Sequence, residues 1–247
     1  MMKNTMKSQL AIVGGLTALI LTMPMASAAV LIQRTSEPDS PNLTELANQD
    51  WALDNWSADY KHRMLEGDGS IGSPIAMEGA LFAPSQGSTL RFSFSDGDSS
   101  ASGGASETLN DATVRGFADN ALGTVGSGFE FDITGSGLQQ TAYVWVSGFN
   151  ATGQFSVELE DVVHEFAFTD VYESTKVPIL YTIEFTSSQT GNPLTVRYQM
   201  IENVSNNDNA HVLLSGSALH VIPEPSTLIL TGLSLMALLG ARRWKRN

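Results

Sequence analysis

The 247-residue chain contains no cysteine. A chain without cysteine has no disulfides, so its stability must come from burial and sheet pairing. The same absence excludes an N-terminal lipoprotein anchor, a thiol nucleophile and any thiolate metal site. Positive charge is also scarce: 13 Lys and Arg stand against 26 Asp and Glu. Six of the 13 lie in the end segments (Lys3, Lys7, Arg242, Arg243, Lys245, Arg246), which leaves seven against 26 between them, a net −19, or −18 without Glu224. Such a surface repels phosphate backbones and anionic headgroups, and this excludes nucleic acid as a partner. Charged residues are only 16% of the chain and hydrophobic ones 42%, enough for a real core. With 22 glycines and many Ser, Thr and Asn, the composition suits short strands joined by turns.

The recognisable catalytic motifs are missing too. There is no Gly-x-Ser-x-Gly elbow and no His-Glu-x-x-His. The glycine-rich stretch Gly123 to Gly128 leads into a strand pattern at Phe129, so it offers no helix N-terminus to a phosphate. His62, His164, His211 and His220 show no metal-ligand spacing, and no two carboxylates stand out as a glycosidase pair. The chain reads as non-catalytic, with no cofactor. Calcium is the one candidate ion, through Asp96 and Asp98 on a single turn, although Ser100 and Ala101 break the EF-hand spacing. A solvated turn is the simpler reading of both.

The two ends carry addresses. Residues 1–28 have the parts of a secretion signal: Lys3 and Lys7, the apolar run Leu10 to Met25, and the small-residue site Ala26-Ser27-Ala28. Cleavage by signal peptidase after Ala28 leaves Ala29 as the mature start. An uncleaved anchor competes less well, because the small-x-small site directly follows the apolar run. Residues 223–247 begin with Pro223-Glu224-Pro225 and continue into the apolar run Ser226 to Ala241. They end on Arg242, Arg243, Trp244, Lys245 and Arg246 before Asn247. Pro225 suits the start of a helix. As a helix, 226–241 spans about 24 Å, a little short of a bilayer core of about 30 Å. Snorkelling cations and interfacial Trp244 make up the difference, and the basic cluster 242–247 stays cytoplasmic.

This order of parts resembles the PEP-CTERM sorting signal of Gram-negative bacteria and contains its namesake tripeptide. The resemblance implies transient insertion in the inner membrane, then cleavage near Pro223-Glu224-Pro225 by exosortase, a membrane transpeptidase. Release or transfer to the cell surface follows, commonly in species that make exopolysaccharide and biofilm. An ordinary tail anchor needs no such tripeptide.

Between the ends, the hydrophobic period is two. Leu90, Phe92 and Phe94 alternate with polar residues, as do Phe129, Phe131, Ile133 and Phe155, Val157, Leu159. The same holds for Ile179, Tyr181, Ile183, Phe185 and for Leu194, Val196, Tyr198, Met200. Ala142 to Phe149 is apolar at nearly every residue and predicts a central strand buried on both faces. Turn residues separate these runs at 95–98, 135–137, 150–153, 190–193 and 206–209. The pattern predicts an all-β fold over 42–222, an antiparallel, jelly-roll-like β-sandwich of roughly eight to ten strands. Residues 29–41 read as a flexible lead-in. Asn42 to Met64 reads either as a short helix capped near Asn42 or as an incoming strand carrying Trp51 and Trp56.

Asp50-Trp51, Tyr143 to Val146, Gly153 to Leu159, Tyr181 to Phe185, Leu194 to Tyr198 and Val212 to Leu219 also resemble a β-sandwich ectodomain of bacterial surface and PEP-CTERM proteins. The resemblance implies a fold and assigns no activity; proteins of this architecture often bind carbohydrate. Two functions follow as expectations. One is a non-catalytic surface or matrix protein of exopolysaccharide and biofilm. The other is a carbohydrate-binding module with a polysaccharide ligand. Trp51 and Trp56, flanked by acidic and amide residues, are the candidate stacking platforms for a sugar. An exposed aromatic platform would favour binding, and a buried aromatic set would favour a structural role.

Overall fold

The computed structural model describes residues 28–36, 41–53, 61–62, 69–77, 80–84, 90–94, 96, 107–110, 114–118, 124–173, 178–204 and 210–223. In chain order the first elements are β1 (Ala29–Ser36), α1 (Leu43–Leu46), β2 (Asp50–Leu53), β3 (Lys61–His62), β4 (Ile75–Met77) and β5 (Ala80–Pro84). β6 (Arg91–Phe94), β7 (Glu107–Asn110), β8 (Val114–Ala118), β9 (Gly128–Thr134) and β10 (Gln139–Phe149) follow. The chain closes with β11 (Ala151–Leu159), β12 (Val162–Tyr172), β13 (Ile179–Thr186), β14 (Pro193–Asn203) and β15 (His211–Val221).

The strands form two main antiparallel sheets. The larger runs β1-β13-β10-β15-β2-β3, with β8 also on β15 and β5 on β8. The second runs β12-β11-β14-β9-β4, and β6-β7 form a separate ribbon. From β9 to β15 the chain changes sheet at every connection except the β11–β12 hairpin. That hairpin turns on Glu160 and Asp161, both left-handed at φ 54° and 62°, the backbone of a two-residue turn matched to strand twist.

The alternating residues expected to face inward do so. Phe129, Phe131, Ile133, Phe155, Val157, Leu159, Leu194, Val196 and Met200 meet Val144, Val146, Ile183, Phe185, Val212 and Leu214 across the sandwich. Phe155 stacks on Tyr181 with ring centroids 3.8 Å apart. At roughly 1.5–3 kcal/mol per fully buried large side chain, this layer dominates the stability of a chain without disulfides.

A second layer explains the continuous apolar run of β10. Val144 and Val146 face the sandwich, while Trp145 points the other way into a cluster of Leu43, Trp51, Leu53, Leu90, Phe92 and Phe94. Phe92 meets Trp145 edge to face at 5.3 Å. Leu90, Phe92 and Phe94 therefore form an outer layer over the larger sheet.

Two segments differ from their sequence reading. Ala29–Ser36, read as lead-in, is edge strand β1, paired along its length with β13. Its polar residues disguise it, since an edge strand buries little: only Ile32 is enclosed. Asn42 to Met64 combines both alternatives. Asn42 caps α1 by accepting from the Thr44 N–H at 3.2 Å, and Asp50–Leu53 then pairs with β15. Trp56 lies outside the described residues, as do residues 1–27 and 224–247 with both apolar runs. Among the described residues, no helix is long and apolar enough to cross a membrane.

Candidate functional site

The C-terminal end of β15 places the sorting segment. Val221 is held by both amide atoms of Asn48: its N–H donates to Oδ1 at 2.7 Å and its carbonyl accepts from Nδ2 at 2.8 Å. The next residue, Ile222, donates its N–H to Gln139 O at 2.9 Å. Pro223 follows, exposed. Lacking an N–H, it cannot extend the ladder, so the tripeptide begins where sheet pairing ends. Glu224, Pro225, Arg242, Arg243, Lys245 and Arg246 lie outside the described residues. At the other end Ala26 lies outside them too; Ala28 is exposed, and Ala29 opens β1.

Trp51 is not the platform expected of it. It is 1% exposed, tilted against Phe94 at 4.6 Å, and its Nε1–H donates to Asp96 Oδ1 at 3.1 Å. The outer layer that covers Trp145 covers Trp51 as well, so neither ring face is open to a sugar. The same hydrogen bond ties Asp96, one of the two residues of the calcium expectation, to the outer layer. Oδ1 already accepts from Trp51 and, at 2.6 Å, from the Thr44 hydroxyl. Asp98 lies outside the described residues. Among the described residues, no three His, Asp or Glu side chains are grouped to hold a metal ion.

The histidines are dispersed. His211 and His220 stand at the two ends of β15. His211 stacks near Phe149, and His220 Nδ1 bonds to Leu46 O at 3.2 Å.

Sequence reasoning missed a buried polar network. The Asp170 side chain is fully enclosed and accepts from Arg34 Nε at 2.6 Å, Tyr181 OH at 2.6 Å and Tyr198 OH at 3.0 Å. Tyr172 OH and Tyr198 OH share a hydrogen bond of 2.8 Å. Burial, and then the Asp170 charge, push the hydroxyls of Tyr172 and Tyr181 far above their ordinary value. Burial pushes Tyr198 up too, reinforced by Tyr172 and Asp170. The rings need space that only glycine leaves. A Cβ at Gly153 would stand 2.2 Å from Tyr198 OH, and one at Gly148 would stand 2.3 Å from Tyr172 Cδ2. The available signal was Asp170 itself, an acidic residue in step with Tyr172 near the end of β12.

A second missed feature is an acidic cleft of about 300 Å³ lined by Glu158, Glu160, Asp161, Asn192, Pro193 and Thr195. Arg197 ties Glu158 at 2.6 Å and Glu130 at 2.8 Å. Glu160 accepts from Ser188 N at 2.5 Å and Asn192 Nδ2 at 3.2 Å. These bonds, led by Ser188, hold its carboxyl below the usual range. Two of the three cleft carboxylates are thus committed to protein donors, which makes the cleft a braced loop cluster.

Residues 221–246 match the PEP-CTERM protein-sorting motif. No curated protein matches the chain. The motif supports an exported protein sorted by exosortase, and the match begins at Val221, the last residue of β15.

Proposed function

We propose that the chain is a non-catalytic, jelly-roll surface protein. Exosortase delivers it to the cell exterior, where it serves exopolysaccharide- and biofilm-associated structure. The carrying observation is the sorting motif at 221–246, joined without a spacer to the last strand of a closed sandwich. The jelly-roll wiring is supported by the strand orders β2-β15-β10-β13 and β9-β14-β11-β12, with the chain crossing between sheets. After signal peptidase frees Ala29, the 226–241 segment acts as a temporary stop in the inner membrane. Cutting near Pro223-Glu224-Pro225 then releases a strongly acidic, cysteine-free domain. Burial of Trp51, Trp145, Tyr181 and Tyr198 supports the structural role over the carbohydrate-binding alternative. That alternative is left with Trp56 and with Tyr143, which is half-buried and stacked on Trp145.

Mass spectrometry of cell-surface material tests the sorting step. Peptides up to the Pro223 region are expected, with none beyond it. Recovery of the Trp244-to-Asn247 tail on mature surface protein would remove the proposal.

A further inference from the structure

Both ends of the sandwich open onto one rim. Ala29 of β1 lies opposite Thr186 of β13, and Thr186 lies opposite Gln139 of β10. Gln139 O takes the Ile222 N–H at 2.9 Å, one step beyond the Gln140–Val221 pair. These four residues form one row across four adjacent strands. The points where the chain joins and leaves the domain are therefore three strand spacings apart, about 14 Å. The turn Glu160-Asp161 and the connections 135–138 and 187–192 lie on the same rim, because β9 and β11 end there and β10, β12 and β14 start there. The opposite rim gathers Asn150, Glu173 and Val204: the Asn150 N–H donates to Glu173 O and the Val204 N–H to Asn150 O, both at 3.0 Å.

We infer that the Ala29–Thr186–Gln139–Ile222 rim faces the membrane during sorting, and that the Asn150–Glu173–Val204 rim is the face presented outward. This rests on the sorting reading above and adds an orientation to it. Only three residues separate Ile222 from Ser226, where the apolar run begins, and the four steps reach at most about 14 Å. Ala29 stands equally close to Met25, the end of the N-terminal run. The 11 residues of β15 span about 36 Å. The C-terminal tether, the one that remains once signal peptidase has freed Ala29, is not long enough to let the opposite rim reach the bilayer while Ile222 stays paired with Gln139. Glu158, Glu160 and Asp161 edge the membrane-facing rim, and their charge opposes close contact with anionic headgroups. The domain stands off, and the tripeptide lies in the gap where a membrane transpeptidase works.

The absence of cysteine provides the test, since single cysteines can be introduced without background. The full chain is expressed in cells lacking the sorting enzyme, with Gln189→Cys or Gln139→Cys on the membrane-facing rim. Glu173→Cys and Val125→Cys report the opposite side, where exposed Val125 precedes Gly126, whose N–H donates to Met200 O of β14. Each thiol carries a fluorophore, and quenching by lipids spin-labelled at the headgroup is measured in isolated membranes. Several-fold stronger quenching at 189 and 139 than at 173 and 125 is expected. Equal quenching, or the reverse order, in a membrane-bound chain overturns the orientation alone. A chain missing from the membrane fraction overturns the sorting reading and the orientation with it. Two positions per rim preserve the comparison if one variant misfolds.

Discussion

Asp170 concentrates the residue-scale chemistry of this protein. Its carboxylate lies inside the sandwich with one cation and two phenols, all within 3.0 Å. Each phenol must stay protonated to donate. The ordinary tyrosine value is 10.0, and burial raises all three hydroxyls in the fold. A folded value above the unfolded one means a stability contribution fully present below pH 10 and lost as pH rises further. With three such groups the loss should reach roughly 4 kcal/mol per pH unit. Urea midpoints of the mature domain should therefore stay level from pH 7 to 9 and fall steeply above 10, with tyrosine absorbance changing together with unfolding. Tyr172→Phe should make that fall shallower; ionisation of more than two of the five tyrosines ahead of unfolding would contradict the account, since Tyr172, Tyr181 and Tyr198 all belong to the network.

At the scale of elements, β1 contributes more than its polar sequence suggests. It covers the edge of β13, encloses Ile32 and brings the one cation to Asp170. Removing one partner of a buried ion pair costs about 3–5 kcal/mol. The Arg34 side chain is 26% exposed, so the lower end of that range applies. Arg34→Met should cost about 3 kcal/mol. Deleting residues 29–36 adds about 2 kcal/mol for Ile32 and the loss of a full strand ladder. Against a total stability of about 5–15 kcal/mol, the deletion should leave a domain that proteases clear quickly. Urea denaturation of the two variants is the check, and midpoints equal to the parent would show β1 to be dispensable. Local pattern concealed this element because an edge strand buries one residue rather than a stripe. The strands that were legible, β9, β11, β13 and β14, show clean alternation because one face of each is enclosed.

The whole molecule carries the PEP-CTERM motif at residues 221–246 of a strongly acidic chain, with 13 Lys and Arg against 26 Asp and Glu. Acidity and the burial of Trp51, Trp145, Tyr181 and Tyr198 fit the proposed matrix role better than a ring platform. A strain deleted for this chain should therefore form a thinner or less cohesive biofilm, measurable as retained biomass under shear. Unchanged biomass would remove the matrix role and leave the sorting pathway untouched.

The sequence by itself determined the export address, the sorting tripeptide, the acidity and the β class, because each is written in contiguous residues or in a short period. Only the tertiary structure decided that Trp51 is buried, that Asp96 serves Trp51 and Thr44, that Asp170 collects Arg34 and two tyrosines, and that Ala29 and Ile222 share a row. Each of these depends on which strands lie side by side. Asp170 and Arg34 are 136 residues apart, and no local period carries the register that brings them together.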